Sequence, residues 1–152
     1  MARPSRDEIH ALMIPTRVGA LLVPSATIAE VVNISTLAPV PLSPPWLVGV
    51  IGWRTLAVPL VSVEALFGKA PVPPGPTSKA VVFYPLAGRA QWEFVALLSS
   101  SEPRPQAIDG SVVSTAATEA PPSRYIAAGL QVGGNPMWIP DFEELKKAFY
   151  PG

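Results

Sequence analysis

Residues 47–68, LVGVIGWRTLAVPLVSVEALFG, form an apolar run rich in β-branched residues with one cation, Arg54, set in its middle. The chain around it is broken every few residues by its 20 prolines and 11 glycines, which leaves short Val- and Ile-rich segments rather than long helical periodicities. The run therefore reads as a hairpin, with strands over Val50–Trp53 and Leu56–Val61 and with Arg54 and Thr55 at the tip. Ser62 is an N-cap for a short helix over Val63–Phe67 that closes at Gly68. Upstream, Pro45–Val48 read as a helical turn stopping at Gly49.

A lone guanidinium buried in such a segment costs on the order of several kcal/mol, so it must either reach water or meet a carboxylate. Between Val18 and Gly68 there are only two carboxylates, Glu30 and Glu64. Glu30 is the favoured partner, because the charge-free connector TLAPVPLSPP can fold its strand back beside the hairpin. A planar guanidinium can hold a carboxylate and still present its remaining donors outward. Such a pair can fix strand register, shape a surface for another protein, or do both.

Composition narrows the function classes. Of the 152 residues 49% are apolar and 14% charged, against about 25% charged in typical soluble domains. Much of the surface must then be uncharged, which favours faces that meet other proteins. Eleven basic and eleven acidic residues leave no field to attract nucleic acid or an anionic membrane. The absence of cysteine excludes disulfides, thiolate chemistry and sulfur-ligated metals. Asp7, Glu8 and Arg17 interrupt any signal-peptide core, and Pro39, Pro41, Pro44 and Pro45 break the charge-free run from Val31 to Trp53, which by length alone is enough to span a bilayer. A cytoplasmic protein with no membrane insertion is expected.

The remaining elements follow from the same signals. Leu12–Ile14 and Ala20–Val23 read as strands joined by a turn at Thr16–Gly19, with Ala26–Ile34 extended beyond them. KAPVPPGPTSK is a linker or exposed loop. Lys79–Leu86 and Gln91–Leu98 read as strands around a turn at AGRA, SSSEPRPQ as a loop, and GGN as the hairpin turn between Ile126–Val132 and Met137–Ile139. Asp141 with Glu144 three residues on gives a capping box for a terminal helix over 141–149. Two β clusters, each followed by a short helix, imply two small barrels on a shared core.

No catalytic constellation emerges. His10 is the only histidine, with no cysteine or carboxylate pair beside it, and reads as a surface residue. Ser99, Ser100 and Ser101 lack a candidate base. Asp141, Glu143 and Glu144 suit a helix N-terminus, and GLQVGGN lacks the lysine and hydroxyl of a phosphate loop. Arg89, Trp92, Arg124 and Tyr125 would suit a nucleic-acid-binding barrel, but without net positive charge to drive it.

GALLVPSATIAEVV (19–32) followed by APVPLSPPWLVGVIGWRTLAVPLVSVEALFG (38–68) resembles the CheW-like domain of bacterial chemosensory systems, and AVVFYPLAGRAQWEFVALLSS and RYIAAGLQVGGNPMWIPDFEEL are similar to that family's second half. Glu30, Gly49, Arg54 and Pro59 match the family pattern by position. Gly52, Trp53 and Thr55 stand where Asn, Leu and Gly are usual, and Ser62 and Val63 where Asp and Leu are usual. This variant resembles the adaptors of pilus-linked (twitching motility) pathways. The resemblance implies a mainly β fold of two packed five-stranded SH3-like barrels in a single domain over 1–152, with sub-barrels at about 11–78 and 79–140 and a closing helix. It further implies a non-catalytic adaptor, without cofactor or metal, that couples methyl-accepting receptors to a CheA-type histidine kinase; exposed apolar barrel faces could also self-associate. Ile28, Glu30, Gly49, Trp53 and Arg54 are the expected partner-binding residues, and Pro59, Glu64 and Asp141 the structural ones. The competing reading is a β-barrel binder of small molecules or nucleic acid that shares the fold.

Overall fold

The computed structural model describes residues 9–85, 90–109, 113–114 and 123–150. Twelve strands occur among them: β1 (Ile9–Thr16), β2 (Gly19–Pro24), β3 (Ile28–Asn33), β4 (Leu37–Ala38), β5 (Leu47–Trp53), β6 (Leu56–Val61), β7 (Lys79–Phe83), β8 (Val95–Ser99), β9 (Arg104–Ile108), β10 (Val113–Ser114), β11 (Ile126–Val132) and β12 (Asn135–Pro140). Two short helices join them, α1 (Val63–Leu66) and α2 (Phe142–Phe149). The fold is mainly β, as expected, and its strands form two sheets of six in the orders β10-β11-β12-β2-β1-β9 and β3-β7-β8-β6-β5-β4.

This strand order corrects the sequential division at residue 78. β1 and β2 pair with strands from the C-terminal third, while β7 and β8 join β3–β6. The link is made by two parallel contacts, Met137–Trp138 on Ala20–Leu21 and Leu60–Val61 on Ala96–Leu97. Each sheet holds six strands rather than five because β4 and β10, of two residues each, add to the edges.

The apolar runs are explained by strands that are buried on both faces. In β7, Ala80 and Val82 enter a core belonging to the second sheet, while Val81 and Phe83 enter a core shared between the sheets. β8 splits likewise, with Ala96 and Leu98 to one side and Leu97 to the other. In β2, Leu22 faces the first sheet's own core, which also holds Ala11, Ile108, Val132 and Met137, and Leu21 and Val23 face the shared one. Each Val, Leu, Ile, Phe or Met side chain so buried contributes roughly 1.5–3 kcal/mol, and the alanines less.

Several local expectations are corrected. Pro45 and Trp46 form a turn closed by Leu47 N–H on the Pro44 carbonyl (3.0 Å), so β5 begins at Leu47 instead of following a helical turn. The presumed loop SSSEPRPQ ends in the first three residues of β9, which pairs with β1 from Arg104 to Ile108. Its Pro105 is tolerated because β9 is an edge strand. The strands proposed over 79–86 and 91–98 are Lys79–Phe83 and Val95–Ser99, and part of the AGRA turn between them lies outside the described residues. The capping box is half formed. Asp141 Oδ1 accepts the Glu144 N–H (3.2 Å), but the Asp141 N–H goes to the Tyr125 carbonyl (2.8 Å) and the Glu144 carboxylate to Lys147 (3.2 Å).

Candidate functional site

The hairpin of β5 and β6 closes with a two-residue turn between Trp53 and Leu56. Both turn residues are left-handed, Arg54 at φ 46° and Thr55 at φ 64°. That is the I′ pattern preferred by Asn-Gly, and a β-branched threonine there is strained. The guanidinium is not buried: the Arg54 side chain is 63% exposed and faces Glu30, itself 47% exposed, with Nη2–Oε1 at 3.6 Å. This brings together the two residues paired from sequence, and Glu64 is elsewhere.

Trp53 completes the group. Its indole Nε1–H donates to Glu30 Oε1 (2.9 Å), and the Arg54 guanidinium carbon lies 4.5 Å from the centre of a Trp53 ring. The tryptophan is 7% exposed, seated in the second sheet's core and against Phe94, with ring centres 4.8 Å apart. Trp53 thus braces the pair from beneath rather than offering itself as surface. The signal in the sequence was a tryptophan where the family has leucine, beside the arginine.

Gly49 is likewise not surface. A Cβ there would lie 2.7 Å from the Ala38 carbonyl oxygen and 2.8 Å from Leu37 Cδ1, so glycine lets β4 lie directly on β5. Ile28 is half-buried against the shared core, at the start of β3 two residues before Glu30. Pro59 sits opposite Val50, immediately before the two residues of β6 that pair with β8. β4, β5 and the hairpin tip wall an open groove of about 990 Å³ lined by residues 35–38 and 50–57, in which Arg54 is the one charged side chain among the described residues.

Glu64 is only 4% exposed. Its Oε1 accepts the backbone N–H of Arg17 (3.0 Å) and its Oε2 the Ser62 hydroxyl (3.3 Å). Ser62 also caps α1 by accepting the Ala65 N–H (3.2 Å). The β1–β2 turn of one sheet is thereby clasped to the helix that follows the other. Ser99 acts at the same seam, donating to the carbonyls of Pro15 (3.2 Å) and Ser101 (2.6 Å). His10 is exposed on β1, opposite Ala107. Arg124 stacks on Tyr125, Trp92 is exposed and packs edge-on against Tyr150, and Arg89 lies outside the described residues. Among the described residues no three His, Cys, Asp or Glu side chains gather as a metal site, and no helix is long and apolar enough to cross a membrane.

Two sheets, with an ion pair braced by Trp53 on an exposed hairpin tip, define a β domain that presents this pair to solvent. The CheW-like domain family matches residues 11–148, and the chain belongs to that family. No curated protein matches it significantly. Among solved structures it is similar to the scaffolding protein TtCheW of Thermoanaerobacter tengcongensis, at 12% identity with a TM-score of 0.73, over 93% of this chain and 89% of that one. At that identity the likeness concerns the fold.

Proposed function

We infer that this chain is a non-catalytic cytoplasmic adaptor that couples methyl-accepting receptors to a CheA-type histidine kinase. The observation that carries the reading is the meeting of Glu30 and Arg54, the family's glutamate and arginine, on a solvent-exposed tip beside an open groove. An exposed ion pair held by one oxygen at 3.6 Å adds little to fold stability, about 0–1 kcal/mol. A role in meeting a partner gives it a purpose that stability does not. Residues without net charge suit association through matched apolar and polar patches rather than through long-range attraction. The Gly52-Trp53-Arg54-Thr55 variant and the Ser62-Val63-Glu64 helix start further support assignment to a pilus-linked pathway controlling twitching motility.

The test is association of the purified chain with the regulatory domain of a CheA-type kinase, and with a receptor-tip fragment, from the same genome in low salt. Dissociation constants on the order of micromolar, roughly −8 kcal/mol, are expected for one or both. No association with either at about 100 μM, roughly −5.5 kcal/mol, overturns the reading. Placement of the gene beside pilus genes rather than flagellar ones bears on the pathway.

A further inference from the structure

Arg54 holds its charge in an unusual way. Its contacts are the ionic approach to Glu30 at 3.6 Å and the stack on Trp53, and among the described residues its N–H groups make no hydrogen bond. A guanidinium seated over a ring still has its edge, where all five donors point, for planar two-point bonding beside the approach of Nη2 to Glu30. Among the described residues the groove it borders has no other charged lining side chain, with walls from Ser35, Thr36, Ala38, Val50 and Gly52, and Glu30 stands at its tip.

We propose that the groove between residues 35–38 and the β5–β6 hairpin receives an apolar segment of a partner protein carrying one acidic side chain, whose carboxylate bonds the free edge of Arg54. Trp53 is the positioning residue. Its N–H fixes Glu30 Oε1 on one side of the tip, and the guanidinium carbon rests 4.5 Å from the centre of its ring, so the donors are ordered before the partner arrives. Thr55, held at φ 64°, adds to the same effect, since strain at a turn persists only where surrounding contacts fix it. The inference rests on the adaptor reading for the occupant's being a protein, and extends it to the chemistry of the contact.

The experiment uses the full chain labelled with ¹⁵N and follows the Arg54 Nε–H resonance, assigned through Arg54→Lys, with the exposed Arg104 as internal reference. The probes are a blocked tripeptide with glutamate between two valines, its glutamine counterpart, and acetate. The glutamate peptide should shift Arg54 and the amides of Thr36 and Gly52, and bind about two- to fivefold more tightly than at Arg104, the advantage expected of a side chain ordered before binding. Acetate should bind more weakly than the peptide and move Arg54 alone, and the glutamine peptide should leave Arg54 in place. Trp53→Phe keeps a ring but loses the N–H, and should reduce the Arg54 preference. Glu30→Gln keeps the acceptor for Trp53 but removes the competing anion, and should tighten peptide binding.

Equal shifts from glutamate and glutamine peptides overturn the carboxylate, and equal binding of acetate and peptide overturns the segment. An unchanged Arg54 preference in folded Trp53→Phe overturns the role of Trp53. Should that variant not fold, an Arg54 no tighter than Arg104 in the wild type overturns the preordering alone. Failure to bind a kinase domain would leave these peptide results standing, so the two readings fail separately.

Discussion

Replacing Glu64 should separate the clasp between the sheets from the tip that faces solvent. Its carboxylate accepts the backbone N–H of Arg17, 47 positions away in sequence, at 3.0 Å and the Ser62 hydroxyl at 3.3 Å, while the residue is 4% exposed. Glu64→Ala leaves that N–H without its acceptor, and a hydrogen bond to a charged group is worth about 1.5–3 kcal/mol. The second, longer bond and the void beside the small cavity under residues 72–78 add about 1 kcal/mol. Relief of the cost of burying a carboxylate offsets part of this, so the net loss is about 2–3 kcal/mol. For a chain of this length that is a fall in Tm of roughly 4–12 °C. Glu64→Gln keeps a carbonyl for the Arg17 N–H and should lose about half as much. Urea unfolding followed by far-UV circular dichroism measures both. A loss below about 0.5 kcal/mol for Glu64→Ala, or equal losses for the two variants, would refute the clasp.

Other substitutions probe the remaining contacts. Thr55→Gly relieves a strained left-handed residue worth about 1–2 kcal/mol and gives back about 0.7 kcal/mol in chain entropy, so urea unfolding should show a net gain of about 0.3–1.3 kcal/mol. Gly19→Ala places a Cβ 1.6 Å from the Trp138 ring at φ +120°, and thermal unfolding should show a loss of at least about 2 kcal/mol with a changed Trp138 environment in near-UV circular dichroism. Asp141→Ala removes the acceptor for the Glu144 N–H, and a loss of about 1 kcal/mol should appear in urea unfolding.

What could be read from the chain was local. The hairpin with Arg54 at its tip, the Ser62 cap and the GGN turn follow from patterns a few residues long, and the left-handed Gly133 and Gly134 suit that turn. The Glu30 partner was legible because the neighbourhood is so poor in carboxylates. Strand order was not, because β1 and β2 pair with residues more than 80 positions on and no periodicity encodes a choice of partner strand. β9 was hidden by its proline, which an edge strand accepts. The left-handed Arg54-Thr55 turn has no glycine or asparagine to announce it, and the Trp53 bond to Glu30 spans 23 residues. Gly49 looked like a surface motif and is a close-approach point, a distinction that depends on β4 crossing it.

The most direct measurement pairs the affinity of Arg54→Ala for the kinase regulatory domain, by calorimetry, with its Tm. An exposed cation that serves recognition should lose about tenfold in affinity, roughly 1.4 kcal/mol. Its Tm should stay within about 4 °C, the shift expected for a surface pair worth under 1 kcal/mol. Unchanged binding by the folded variant, together with a Tm lowered by 10 °C or so, the mark of several kcal/mol of fold stability, would show that the tip holds the fold together and that partners dock elsewhere.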